Sequence, residues 1–501
     1  MTIAATEGIL RYIFEIVIKM EVKTFFYNRF SLTSNGAPHR CNKYIEEVII
    51  ELGHKLYPCE PDPPHQRYKS LNYIPWDRRD RILGNQYIPV DVSIYCDRGI
   101  AYGFPSFDSS KFNILLLHGL AYNYELIYSQ SGFDLIITTS AYWAQVTKMM
   151  LNGVVVHNAD ELSYLLLSNR KGNNYPLIYS VSPPIENTLI ASKSKLNEFM
   201  NTHKLQDNSS MILAHALQPN KANYALLVGT VISLSSLYSQ EEKKFKIIVL
   251  EDIRINIKEA LNDFYSKYNN LIDENISIDE ALNCFVFTKR FEQSQLYELF
   301  EICNFAFLYN DVPESFGMYA LESVANRCPV FTNGAGNMRN ALPYNQGLYI
   351  FETWDLYQDN IEEYHHLANF IRKKLDDKQI KQEIEMGADY IKNNYNLIHF
   401  KNQITLIVQT ITQAVDGVKT TLHKYENNST TYNYRISPLI RKIYVEKLSV
   451  IADHQFFTLS DQEMGVLCYI NDKDSDSIET KFSSNEAIIK SLLSKGLIIY
   501  D

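Results

Sequence analysis

Two glutamates define the chemistry this sequence offers. Glu314 and Glu322 lie in Asp311-Val312-Pro313-Glu314-Ser315-Phe316-Gly317-Met318-Tyr319-Ala320-Leu321-Glu322-Ser323, which is followed by Arg327-Cys328-Pro329-Val330 and Gly334-Ala335-Gly336-Asn337. The pattern predicts a strand, a loop carrying Glu314, and a helix that starts near Phe316 and presents Glu322 on its second turn. An ionised carboxylate accepts charge-assisted hydrogen bonds and can grip a pair of vicinal hydroxyls. The start of a helix offers unpaired N–H groups and the positive end of a dipole, which is a seat for phosphate. Gly317 allows a ligand to approach the backbone closely. Two carboxylates around a phosphate seat point to a sugar on one side and a ribose on the other. Two glutamates alone are better explained as a loop acid and a solvated helix residue. The Phe-Gly pair, the Cys-Pro-Val strand and the Gly-Ala-Gly turn at their offsets favour the binding reading.

These residues need a frame that brings strand ends together. From Val22 to about Ser180 short apolar runs alternate with helical patterns, as in parallel strands joined by helices. Strands are expected at Val22 to Tyr27, Val92 to Tyr95, Ile114 to Leu117, Leu135 to Thr138 and Val154 to Val156, with a helix from Arg40 that stops at Gly53. Pro183-Pro184 and the polar segment 201–210 interrupt the series. A second series then places strands at Met211 to Ala214, Lys246 to Leu250, Cys284 to Phe287, Phe305 to Leu308 and Val330 to Phe331. The fold class expected is α/β, with two doubly wound Rossmann-like domains facing a cleft and a small C-terminal α+β appendage. The boundaries expected are an extension at 1–19, domains at 20–190 and 205–415, a polar linker at 416–437 and the appendage at 438–501.

Composition narrows the function classes. With 46% hydrophobic residues, 25 Phe and 35 Tyr, the chain has enough apolar material for several cores. A formal charge of -10 provides no basic field for nucleic acid, so no nucleic-acid partner is expected. The seven scattered cysteines contain no CxxC pair and read as buried thiols in a reducing cytoplasm. Glu7, Arg11, Glu15 and Lys19 break up the apolar N-terminus, which favours an amphipathic helix over a membrane span and allows at most peripheral membrane association. Asp472-Lys473-Asp474-Ser475-Asp476 begins like a calcium loop but lacks its glycine and closing glutamate, so it reads as a solvated turn.

The segment around Glu314 and Glu322 resembles the ExxxxxxxE motif of the retaining GT-B glycosyltransferases, the GT4-like family that includes sucrose synthases and bacterial mannosyl- and glucosyltransferases. The resemblance extends in order over roughly residues 22–415. It implies that Glu314 touches hydroxyls of the donor sugar, that Glu322 holds the ribose, and that Ser315, Phe316, Gly317, Gly336 and Asn337 belong to the donor site. It also implies a glycine loop at Gly36 near the donor phosphates and a cleft role for His118, which ends the strand Ile114 to Leu117. The family's Gly-Arg with a Lys five residues later corresponds to His215-Ala216-Leu217-Gln218-Pro219-Asn220-Lys221, so Lys221 is in place and Ala216 stands at the arginine position. Arg290, after another strand, is the candidate to replace that charge. The acid that often follows the glycine turn is also missing, since Asn337-Met338-Arg339 stands there.

The activity implied is metal-independent, retaining hexosyl transfer from a UDP- or GDP-type nucleotide-sugar. The nucleotide-sugar is a co-substrate, and no cofactor or metal is expected. The catalytic candidates are Glu314, His118 and Lys221. The tail from Tyr444 to Asp501 resembles a small winged-helix module of the PqqD-like kind that binds leader peptides. Three readings remain: transfer to a glycan or small molecule, peptide or protein modification guided by the tail, and a non-catalytic sugar-nucleotide-binding subunit.

Overall fold

The computed structural model describes residues 21–27, 37–60, 74–75, 90–97, 110–119, 133–151, 153–168, 176–185, 193–202, 205, 210–214, 222–239, 244–268, 277–289, 293–310, 313–351, 361–416, 434–436, 440–444, 448–452, 456–471, 486–495 and 497–500. The N-terminal extension, Gly36, the stretch from His215 to Lys221, Arg290 and the segment Asp472 to Asp476 lie outside these residues, as does most of the expected linker. The chain forms two compact units. One contains Met1–Pro184, Leu397–Arg435 and Tyr469–Asp501, and the other Ile185–Asn396 and Ile436–Cys468.

The first unit is built on strands β1 (Lys23–Tyr27), β2 (Lys55–Glu60), β3 (Ile74–Pro75), β4 (Val92–Cys96), β5 (Phe112–Leu117), β6 (Leu135–Thr138), β7 (Val154–Val156) and β8 (Leu177–Ser180). They pair in parallel in the order β3-β2-β1-β4-β5-β6-β8-β7. Helices α1 (Ala37–Glu51), α2 (Ala141–Leu151) and α3 (Ala159–Ser168) supply crossovers. β4, β5 and β6 are buried along their whole length, as strands covered on both faces must be. Ser140 caps α2, its Oγ accepting the Trp143 N–H at 3.1 Å.

In the second unit, α4 (Lys193–Thr202) precedes β9 (Ser210–Ala214), α5 (Tyr224–Ser239), β10 (Lys244–Leu250), α6 (Arg254–Tyr268), α7 (Ile278–Asn283) and β11 (Phe285–Thr288). The chain continues through α8 (Gln293–Ile302), β12 (Phe305–Leu308), α9 (Met318–Ala325), β13 (Val330–Thr332), β14 (Leu348–Ile350), α10 (Ile361–Leu375) and α11 (Ile380–Asn394). The six parallel strands run β11-β10-β9-β12-β13-β14, which is the dinucleotide-fold order 3-2-1-4-5-6. One core lies under α5, α6 and α10 and includes Val228, Ile247, Phe305, Phe331 and Leu367. The other lies under α8, α9 and α11 and includes Leu299, Ala306, Leu321, Val330 and Ile391. The sheet therefore carries a packed layer on each face, as in a doubly wound fold.

The next helix, α12 (Leu397–Asp416), follows the second unit in sequence but packs in the first. Phe400, Ile404, Ile407, Ile411 and Val415 join Val48, Ile49, Ile114 and Leu162 in the first unit's core. Lys401 Nζ reaches Glu47 and Glu51 of α1 at 3.2 and 3.1 Å.

The tail contains β15 (Tyr434–Ile436), which pairs with the terminal β19 (Ile498–Tyr500), and an antiparallel sheet of β16 (Ile440–Tyr444), β17 (Ser449–Ala452) and β18 (Phe456–Thr458). Two helices follow that sheet, α13 (Asp461–Asn471) and α14 (Glu486–Ser494). A reciprocal cap starts α13: Ser460 Oγ accepts the Glu463 N–H at 3.2 Å, and Glu463 Oε2 accepts the Ser460 N–H at 2.9 Å.

The sequence pattern missed four strands of the two large sheets: β2, β3, β8 and β14. Pro58 within β2 argues locally against an inner strand, and β3 and β14 are too short for periodicity to appear. The helix expected from Phe316 begins at Met318, because Gly317 adopts the left-handed conformation, with φ 88°, as its N-cap.

Candidate donor site at the edge of the second sheet

The order of strands in the second unit reverses between β9 and β12, and open α/β sheets bind ligands beyond the C-terminal ends of the strands at such a point. Glu314 stands there, in the loop that leaves β12. Its position is over-determined. Asn310 Nδ2 donates to Glu314 Oε1 at 2.7 Å, the Glu314 N–H reaches the Ala335 carbonyl at 3.3 Å, and the Asn337 N–H reaches the Glu314 carbonyl at 2.8 Å. Glu314 and Gly336 thus form a parallel bridge between the loops leaving β12 and β13.

The glycine turn is required sterically. A Cβ at Gly336 would overlap the backbone N and O of Glu314, and its φ of 72° is one that L side chains rarely adopt. Asn337, which is buried, ties the next segment down by donating Nδ2 to the Phe316 carbonyl at 3.0 Å. Phe316 itself is buried and packs edge-on to Tyr395, with ring centroids 5.4 Å apart. Glu314, Phe316, Gly317, Gly336 and Asn337 therefore meet at one locus, with half-buried Ser315 in the same loop.

Glu322 lies further along α9, which starts at Gly317 within this locus and has no side-chain cap. It is buried, and Tyr297 of α8 donates its hydroxyl to Glu322 Oε1 at 3.2 Å. A solvated helix face does not describe this residue. The two carboxylates are held by different means, one through a loop bridge and one through a buried aromatic hydroxyl.

Sequence reasoning overlooked Asn310. It is buried, its carbonyl accepts Asn333 Nδ2 at 2.8 Å, and it bridges to Ala222, so it is the rigid donor that aims Glu314. The available signal was a polar residue two positions beyond the apolar strand Phe305–Leu308, at the sheet's binding edge.

His118 lies in the first unit, at the end of β5, next to that sheet's own switch point between β1 and β4. Its side chain is only 8% exposed. Asp97, which follows β4, is buried at φ 47° and accepts the His118 N–H on Oδ1 at 2.7 Å. Asp97 Oδ2 and Cys96 Sγ each lie 3.5 Å from His118 Nδ1. Asn42 Nδ2 donates to Cys96 Sγ at 3.1 Å. Burial alone would lower the imidazole pKa, but the facing Cys96 and Asp97 outweigh it and raise His118 to about 10. Burial pushes the Cys96 thiol up.

No family model matches the chain, and no curated protein matches it. Among solved structures the chain is similar to a glycosyltransferase from Rickettsia africae ESF-5, at a TM-score of 0.51 and 13% identity over 79% of this chain and 98% of that one. It is also similar to an α,α-trehalose-phosphate synthase (UDP-forming) from Burkholderia vietnamiensis, at a TM-score of 0.52 and 9% identity over 79% of this chain and all of that one. An α,α-trehalose 6-phosphate synthase from Burkholderia multivorans gives 0.51 and 10% over the same shares. At these identities the likeness speaks to architecture, and together with the two Rossmann-order sheets it identifies the fold of this chain as GT-B.

Proposed function

We propose that the protein is a retaining, GT4-like glycosyltransferase that moves a sugar from a nucleotide-sugar donor to an acceptor. The observation that carries this reading is the bridge of Glu314 to Gly336, with Asn310 clamping the carboxylate beside the uncapped start of α9. A fixed carboxylate beside a row of N–H groups suits a sugar diphosphate, with hydroxyls on the acid and phosphate on the helix start. Glu322, within the same helix, would take the ribose. Lys221 and Arg290 would supply cationic charge to the leaving diphosphate, where developing charge is best stabilised by groups already in place. The UDP-forming synthase among the similar structures is in keeping with a nucleotide-sugar donor. Calorimetric titration with UDP, GDP and their sugars tests the reading. Saturable binding of one series is expected, and silence with all of them would sink it.

A second reading, a peptide acceptor guided by the tail, is favoured by the separate antiparallel sheet β16-β17-β18 followed by two helices. Removing residues 438–501 while following turnover on the natural acceptor separates the readings, since undiminished turnover rules out guidance by the tail.

A further inference from the structure

Cys96, Asp97 and His118 bring a sulfur, a carboxylate oxygen and an imidazole nitrogen to one buried point, within 4.8 Å of one another. Adjacent residues of a strand send their side chains to opposite faces, so Cys96 and Asp97 would be expected to diverge. They converge because the chain enters the left-handed region at Asp97, with φ 47°, directly after β4 ends. That backbone conformation is uncommon outside glycine and is concentrated at functional sites. Asp97 Oδ2 and Cys96 Sγ both lie 3.5 Å from His118 Nδ1. The carboxylate distance exceeds the range of about 2.7–3.2 Å for an N–H···O bond, and one N–H cannot be directed at both neighbours. The spacing instead matches ligands on a tetrahedral ion. Bonds of about 2.0–2.1 Å to nitrogen and oxygen and about 2.3 Å to sulfur place the nitrogen about 3.6 Å from the sulfur and about 3.3 Å from the oxygen.

We propose that Cys96, Asp97 and His118 bind a divalent cation of the zinc type, which ties the ends of β4 and β5 together. A thiolate and an imidazole select a borderline-soft ion, whereas calcium and magnesium call for oxygen ligands throughout. Charge agrees with this choice. Thiolate and carboxylate carry two negative charges, which a divalent ion cancels where Cys96 is fully buried and the side chains of Asp97 and His118 are only 7% and 8% exposed. As the metal bonds form, the Cys96 thiol and any protonated Nδ1 release their protons to solvent. The neighbouring hydrogen bonds are those that steady metal ligands. Asn42 Nδ2 donates to Cys96 Sγ at 3.1 Å, and Asp97 Oδ1 accepts the His118 N–H at 2.7 Å. Three protein ligands leave the fourth position to water. In the metal-free chain Asp97 and His118 remain a buried pair, so the titration of that pair belongs to the metal-free form. The cluster lies wholly within the first unit, and the inference does not depend on the transferase reading.

The test uses the untagged full chain, stripped with a chelator and titrated with cobalt(II) as a spectroscopic stand-in for zinc. A thiolate-to-cobalt charge-transfer band saturating at one ion per chain is expected, together with the strong visible bands of a tetrahedral centre. Added zinc should displace the cobalt and abolish both. Absence of the charge-transfer band in the wild type overturns the proposal, whether or not any variant folds. Cys96→Ser should abolish the band, and Asp97→Asn and His118→Asn should each weaken binding. A band unchanged in Cys96→Ser puts the ion on another of the seven cysteines and also overturns the proposal. Asn42→Ala should keep the band and lower zinc affinity by about 10- to 100-fold, read by competition with a chromophoric chelator. Zinc should raise the Tm of the wild type and leave that of Cys96→Ser unmoved, and an unmoved wild-type Tm would overturn the tie between β4 and β5.

Discussion

Asn310 and Gly336 act on Glu314 in different ways, and their substitution should separate aim from shape. Asn310→Ala removes a hydrogen bond to a carboxylate, a contact worth about 1.5–3 kcal/mol, which predicts a donor affinity lower by about 10- to 150-fold with the fold retained. Titration of the variant with its donor nucleotide-sugar, beside a circular-dichroism spectrum, checks this. Gly336→Ala places a methyl group against the backbone of Glu314 at a φ of 72°, so the loop must move. A strain of about 1–3 kcal/mol follows, seen as a lower Tm together with loss of donor binding. The pairing of Glu314 with the glycine turn was legible from residue type and spacing. Its partner Asn310 was not, because the contact is fixed by loop geometry that sequence alone does not specify.

At the scale of elements, α12 shows how packing overrides chain order. Ile404, Ile407 and Ile411 recur at helical spacing, so an amphipathic helix could be read from the sequence, but not the sheet it covers. Any apolar stripe matches any apolar sheet face in composition, and shape decides between them. Ile407 is 2% exposed in the first unit's core, so Ile407→Ala should cost about 2–5 kcal/mol. Denaturant unfolding followed by the fluorescence of Trp143, which is buried in the same unit, should show the loss.

At the scale of the molecule, the buried Asp97–His118 pair links stability to pH. The folded His118 pKa is raised to about 10 from an unfolded value near 6.5. Its stabilising contribution is therefore fully present below about pH 6.5 and is lost as pH rises through the folded value. The unfolding midpoint of the wild type should fall more steeply between about pH 7 and 10 than that of His118→Asn, measured by thermal melts across a pH series. Among the described residues no helix is long and apolar enough to cross a membrane, and Cys41, Cys96, Cys284, Cys303 and Cys328 are free thiols.

The sequence by itself determined the alternation of strand and helix and the glutamate pair with its glycine turn. These are local properties, carried by periodicity, by residue type and by the backbone freedom of glycine. Tertiary structure alone decided that Asn310 clamps Glu314, that Tyr297 reaches Glu322, that Cys96 and Asp97 meet at His118, and that α12 covers the first sheet. Each of these joins residues brought together only when parallel strands align their C-terminal ends or a helix finds its sheet, and that alignment is set by packing of the whole core.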